Sequence, residues 1–122
     1  MLRTLATIFG LVLIAFGVLG FLPELTPEGK LLGIFMVNPV HNVIHLVSGG
    51  VALFCGLSST FASKVYFIAF GIVYAAVAVL GFMLGEGMLF DLIAINTADN
   101  WLHTVIAVVS LYFGLFLSRK YE

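Results

Sequence analysis

Four apolar stretches divide the chain, from about Leu5 to Leu22, Pro39 to Leu57, Val65 to Leu84 and Thr97 to Leu117. Each is close to the roughly 20 helical residues that cross a bilayer core. The pattern predicts an all-α membrane protein, a bundle of four transmembrane helices. Internal polar positions are few, and they are grouped. Asn38-Pro39-Val40-His41-Asn42-Val43-Ile44-His45 opens the second stretch, and Asn96-Thr97-Ala98-Asp99-Asn100-Trp101-Leu102-His103 opens the fourth. Asn, Asn and His recur in both at the same spacing, 58 positions apart.

Other matches follow in the same order. Val18-Leu19-Gly20-Phe21 recurs as Val79-Leu80-Gly81-Phe82 at an offset of 61, and Phe54-Cys55-Gly56 aligns with Tyr112-Phe113-Gly114 at 58. The chain is therefore expected to be one integral membrane domain over 1–122. It is built from two tandem helical hairpins, repeat one about 5–57 and repeat two about 65–117. Two helices per half give both halves the same topology, so the expected symmetry is a pseudo-two-fold axis along the membrane normal. Leu31 to Val37 and Met88 to Ile95 are apolar but too short to span. They are expected to fold back over the bundle mouth as interfacial or re-entrant segments forming a hydrophobic lid.

Composition points to the bilayer as the main partner. Hydrophobic residues make up 62% of the chain and charged residues 9%, and the mean hydropathy is +1.22. A soluble domain is about half apolar and about a quarter charged. The net charge of −1 leaves no basic surface for nucleic acid. Cys55 is the single cysteine, so it has no intrachain disulfide partner and reads as a small packing residue. Arg3 precedes the first stretch, as in a signal peptide. The apolar run is longer than a signal core, however, and no small-residue cleavage pattern follows, so a retained helix is expected.

Charge asymmetry sets the expected orientation. Arg3, Lys64, Arg119 and Lys120 fall at the termini and the second loop, while Glu24, Glu28, Glu86 and Asp91 face a single Lys30 in the other two loops. Positive-inside counting puts both termini in the cytoplasm. Tyr66, Tyr112 and Tyr121 near the inner ends and Trp101 near the outer end are expected at the interfaces.

The paired motifs carry the candidate chemistry. Asn38 and Asn96 suit helix N-caps, with Pro39 at the first helical position. Asn96 and Asp99 have capping-box spacing, which accounts for the acid without any ligand. Capping does not account for His45 and His103, which lie about 10 Å further along. Ionisable groups at that depth face a bundle interior or a wet cavity. Residues four apart share a helix face, so His41 lies over His45 and Asp99 over His103. Gly49, Ala52 and Gly56 continue the face of His45, and Ala107, Ser110 and Gly114 that of His103. Such small-residue stripes let membrane helices approach closely. They are expected to bring the second and fourth helices together with their histidines facing.

Three functional expectations follow. His41, His45, Asp99 and His103 have the count and chemistry of a transition-metal site, zinc first, with Asn42 and Asn100 orienting the ligands from behind. His45 and His103 alone suit a bis-histidine haem, a weaker fit because close packing leaves little room for a porphyrin. Third, the polar groups satisfy one another as a structural network, in a small accessory or scaffolding subunit of a larger membrane complex or in a homo-oligomer. Enzymatic chemistry is not favoured: no nucleophile spacing or phosphate loop is present, and four ligands would close a zinc site. Transport is not favoured either, since no charged path crosses the inner half.

The run from Asn38 to Gly49, together with Asp99-Asn100-Trp101-Leu102-His103, resembles a bacterial family of small four-helix membrane proteins catalogued as domain of unknown function 4383. The resemblance extends over nearly the whole chain. It implies a four-span fold and the importance of His41, Asn42, His45, Gly49, Asp99, Asn100 and His103, and no particular activity.

Overall fold

A computed structural model describes residues 1–117. Arg119, Lys120 and Tyr121, used above for orientation, lie outside the described residues. Four helices account for the four apolar stretches: α1 (Leu2–Leu19), α2 (Pro39–Ser58), α3 (Thr60–Leu84) and α4 (Thr97–Tyr112). A π-helical turn, Phe113–Leu117, extends α4. All four are long and apolar enough to cross a membrane.

Local chemistry fixes the ends. α1 stops short of Pro23, which lacks the amide a continuing helix needs. α3 starts at Thr60, earlier than the apolar pattern suggests, because Ser59 caps it through a 3.0 Å bond from the Ala62 amide to its Oγ. Ser59 alone separates α2 from α3. Beside that tight turn, Arg3 Nε and Nη2 donate to the carbonyls of Gly56 (3.0 Å) and Leu57 (2.7 Å). A cation thus satisfies the orphan carbonyls and negative dipole end of α2.

The apolar loops fold back as expected, but as β-hairpins. β1 (Lys30–Leu31) pairs antiparallel with β2 (Phe35–Met36), and β3 (Gly87–Leu89) with β4 (Ile93–Ile95). Leu31 sits opposite Phe35, and Leu89 opposite Ile93. Both turns need two left-handed residues, Leu32 and Gly33 (φ 56° and 74°) and Phe90 and Asp91 (φ 54° and 59°). Glycine takes that conformation freely and aspartate tolerates it. Backbone pairing explains why these segments survive next to a bilayer, where unpaired amides are costly.

The closest helix packing lies within each helical pair, α1 with α2 and α3 with α4. This corrects the expected use of the small-residue stripes. A Cβ on Gly49 would lie 2.7 Å from the Gly10 carbonyl oxygen, and one on Gly56 2.7 Å from the Thr7 amide, both on α1. One on Gly114 would meet Ile68 of α3 at 2.7 Å. Ala52 is buried against Leu2, Ala6, Tyr66 and Phe67, and Ala107 and Ser110 are buried on α4. A stripe shows that some helix comes close; here that helix is the one across the hairpin loop, while α2 and α3, joined through Ser59 alone, pack less closely. α2 and α4 meet instead through their histidines.

Tyr66 also departs from expectation. It is 2% exposed and stacks on Phe70 inside the core, so it does not sit at an interface. Tyr112 and Trp101 are exposed, and Trp101 packs edge-on to Phe82.

One contact recurs in both pairs. A Cβ on Gly20 would collide with the Asn42 side-chain amide, and one on Gly81 with that of Asn100. Gly81→Ala should therefore destabilise the protein by about 1–3 kcal/mol, as overpacking does. Gly50→Ala, where a Cβ would meet nothing, should cost nothing. Thermal unfolding in detergent of both variants checks the contrast; equal stabilities would contradict the close approach.

Candidate metal centre

Asn38 and Asn96 build the site from their helix caps. Asn38 Oδ1 accepts from the His41 amide at 2.9 Å, and Asn96 Oδ1 from the Asp99 amide at 2.9 Å. Their other ends reach across the bundle. Asn38 Nδ2 donates to the Leu92 carbonyl (2.9 Å), and Asn96 Nδ2 to the Ile34 carbonyl (2.9 Å). Each cap thus ties the hairpin that precedes the other helix. Leu31, Leu89, Ala94 and Ile95 are buried by this arrangement and roof the space beneath.

Under the roof three imidazoles converge. Ring centroids are 4.8 Å apart for His41–His45, 5.6 Å for His41–His103 and 6.1 Å for His45–His103. One ligand nitrogen from each lies within 4.8 Å of the others. The rings are 2%, 6% and 2% exposed, so bulk water does not serve them.

Backbone geometry fixes one tautomer. His41 Nδ1 lies 2.7 Å from the Ala94 carbonyl oxygen. A carbonyl only accepts, so Nδ1 carries the proton and Nε2 keeps a lone pair. That Nε2 is buried with no hydrogen-bond partner, as are His45 Nε2 and His103 Nδ1. Buried nitrogens normally find partners. Three unpartnered ones together form a donor set.

The residues line a cavity of about 50 Å³, with Ser48 and Tyr74 completing its polar wall. The Tyr74 ring lies 5.6 Å from that of His103. Ser48, Tyr74 and the Ala94 carbonyl escaped the sequence reasoning. Ser48 and Tyr74 left a usable signal, because each is a polar side chain in mid-span. A main-chain carbonyl leaves none.

Three of the four expected ligands are thus brought together. Asp99 is not among them. Its Oδ2 accepts from the Asn96 amide at 3.0 Å, completing a capping box, and the Met36 backbone also bonds it. Asn42 and Asn100, expected behind the ligands, turn instead towards Gly20 and Gly81. Zinc–nitrogen bonds are about 2.0–2.1 Å and the geometry is tetrahedral, so two nitrogens on one ion lie about 3.4 Å apart. From separations of up to 4.8 Å, the trio needs to close by up to about 1.5 Å to share one ion.

A second acid supports the roof from outside. Glu86 Oε2 accepts from the Thr97 amide (2.9 Å) and hydroxyl (3.0 Å) at the start of α4. These bonds, helped by Lys30, hold its carboxyl below the usual carboxylate range.

Among the described residues, four helices able to cross a membrane, two roofing hairpins and a buried histidine trio define a small helical protein of the kind that spans a membrane several times. Residues 3–116 match the family described as domain of unknown function 4383, and the chain belongs to that family. No curated protein and no solved structure matches the chain.

Two outcomes test this architecture. Asn96→Ala removes both a cap and a tie to the first hairpin, and should cost about 1–3 kcal/mol. Amide exchange should rise at 30–36, not only within α4; an effect confined to α4 would contradict the cross-tie. Glu86 is stabilising while ionised, because its folded pKa is depressed. That contribution is complete above its ordinary value of 4.5 and is lost as pH falls through the lower folded value. Thermal stability should therefore fall less steeply below pH 4.5 in Glu86→Gln than in the parent; identical slopes would contradict the role given to Glu86.

Proposed function

We propose that this is an integral protein of a bacterial cytoplasmic membrane that binds one transition-metal ion, zinc first, through His41, His45 and His103. The observation that carries the proposal is the buried trio of imidazoles, each offering a ligand nitrogen within 4.8 Å of the others and each with one ring nitrogen that has no hydrogen-bond partner. Neutral imidazole is the commonest metal ligand, and zinc accepts three with a fourth position left for another group. The bond from His41 Nδ1 to Ala94 is the kind of outer contact that aims a ligating histidine.

A structural network alone is supported less well. Such a network stabilises only when its members satisfy one another, and these nitrogens do not. Haem is also supported less well, since about 50 Å³ is space for an ion and a few waters, far below a typical cofactor pocket. We place both termini in the cytoplasm, with the hairpins and the metal centre near the outer face. The matched caps, turns and Gly–Asn contacts support an internal duplication with a pseudo-two-fold axis along the membrane normal.

Purified protein should carry about one equivalent of zinc by elemental analysis. His45→Ala and His103→Ala should each bring it below about a tenth of an equivalent. Asp99→Asn should retain zinc, because Asp99 serves the cap. Loss of metal in Asp99→Asn with a folded protein would return Asp99 to the ligand set; zinc-free parent protein that also fails to take up added zinc would overturn the proposal.

A further inference from the structure

The wall opposite the roof determines what else the centre takes. The cavity is closed on the hairpin side by Ile93 of β4. Towards the bilayer it is lined by Ile44 of α2 and by Val73 and Val77 of α3. Ile44, in the second turn of α2, and Val73, in the middle of α3, are 36% and 53% exposed, and within a membrane span that exposure is to lipid. An apolar groove of about 260 Å³ runs beside it along Pro39, Val40 and Val43 of α2, and Ile44 is a wall of both. A polar pocket and a lipid-facing groove therefore share one residue as their boundary.

Charge sharpens the requirement. A divalent ion on three neutral imidazoles leaves two positive charges in a low-dielectric interior, which is costly without a counter-charge. No acidic residue lines the cavity among the described residues, and the Asp99 carboxylate is held by backbone amides. The missing negative charge has to arrive with a ligand, and the side left open faces the acyl chains.

We infer that the metal centre takes a membrane-dissolved carboxylate amphiphile, of the fatty-acid class. Its head enters between α2 and α3 to reach the metal, and its chain lies in the groove along Pro39, Val40 and Val43. The inference rests on the metal proposal above. The carboxylate supplies one ligand oxygen and one negative charge, and no covalent bond of the amphiphile changes.

The test uses the full chain in phosphatidylcholine nanodiscs, loaded with Co²⁺ so that the ligand field is visible. Oleate should shift the cobalt absorption saturably. Methyl oleate, which has the chain without the charge, should not, and neither should acetate in hundredfold excess, which has the charge without the chain. Val77→Phe and Ile44→Phe, which narrow the entry, should each weaken the oleate response at least tenfold while cobalt content stays unchanged. A shift with acetate equal to that with oleate would show entry from water and overturn the inference. So would a bound cobalt spectrum that oleate leaves unmoved. Absence of any cobalt spectrum would be the distinct failure of the metal proposal, and this inference would fall with it.

Discussion

The reciprocal tie between helix caps and hairpins is the constraint on which the rest depends. Asn38 holds the second hairpin through Leu92, and Asn96 holds the first through Ile34. Each asparagine also caps its own helix, so one side chain fixes a helix start and a roof strand together. In a bilayer, backbone polar groups at a helix end find no water, and a loop survives only where its own groups are paired. The ties therefore satisfy orphan groups at both motifs and set the height of the roof over the histidines. They also deliver the Ala94 carbonyl to His41, which decides the tautomer facing the cavity.

The two motifs differ at one aligned place, His41 against Asp99. Each of these residues reaches the hairpin that precedes the other helix. Asp99 accepts from backbone amides at Asn96 and Met36 and is thereby used up. His41 donates from one nitrogen to Ala94 and keeps the other for the cavity. A carboxylate only accepts, whereas a neutral imidazole does both. A histidine at this capping position thus puts a third imidazole on the cavity. The site is consequently asymmetric, with two histidines from α2 and one from α4.

Much of this was legible in the sequence, for identifiable reasons. The helix starts at Pro39 and Thr97 were legible because Asn caps and a first-turn proline leave local marks. The convergence of His45 and His103 was legible because ionisable residues in a span have few permitted directions. The partners of the small-residue faces were not legible: Gly49 shows that a backbone comes near, and only the fold shows that it is Gly10. The strands at Lys30–Leu31 and Ile93–Ile95 are too short for a period-2 pattern. Asp99 has capping and ligand roles that look alike in sequence, and the capping box decides for the first. Tyr66 sits near a helix end, where position suggests an interface, but aromatic packing on Phe70 draws it into the core.

The central claim is that three imidazoles, and no carboxylate of this chain, hold the metal. X-ray absorption at the zinc edge of protein in bilayers tests it most directly. The account predicts three nitrogen ligands at about 2.0–2.1 Å with imidazole scattering from three rings, and one further light ligand. Two imidazoles or fewer, or a mostly oxygen shell of the kind expected for an adventitious ion, would contradict it.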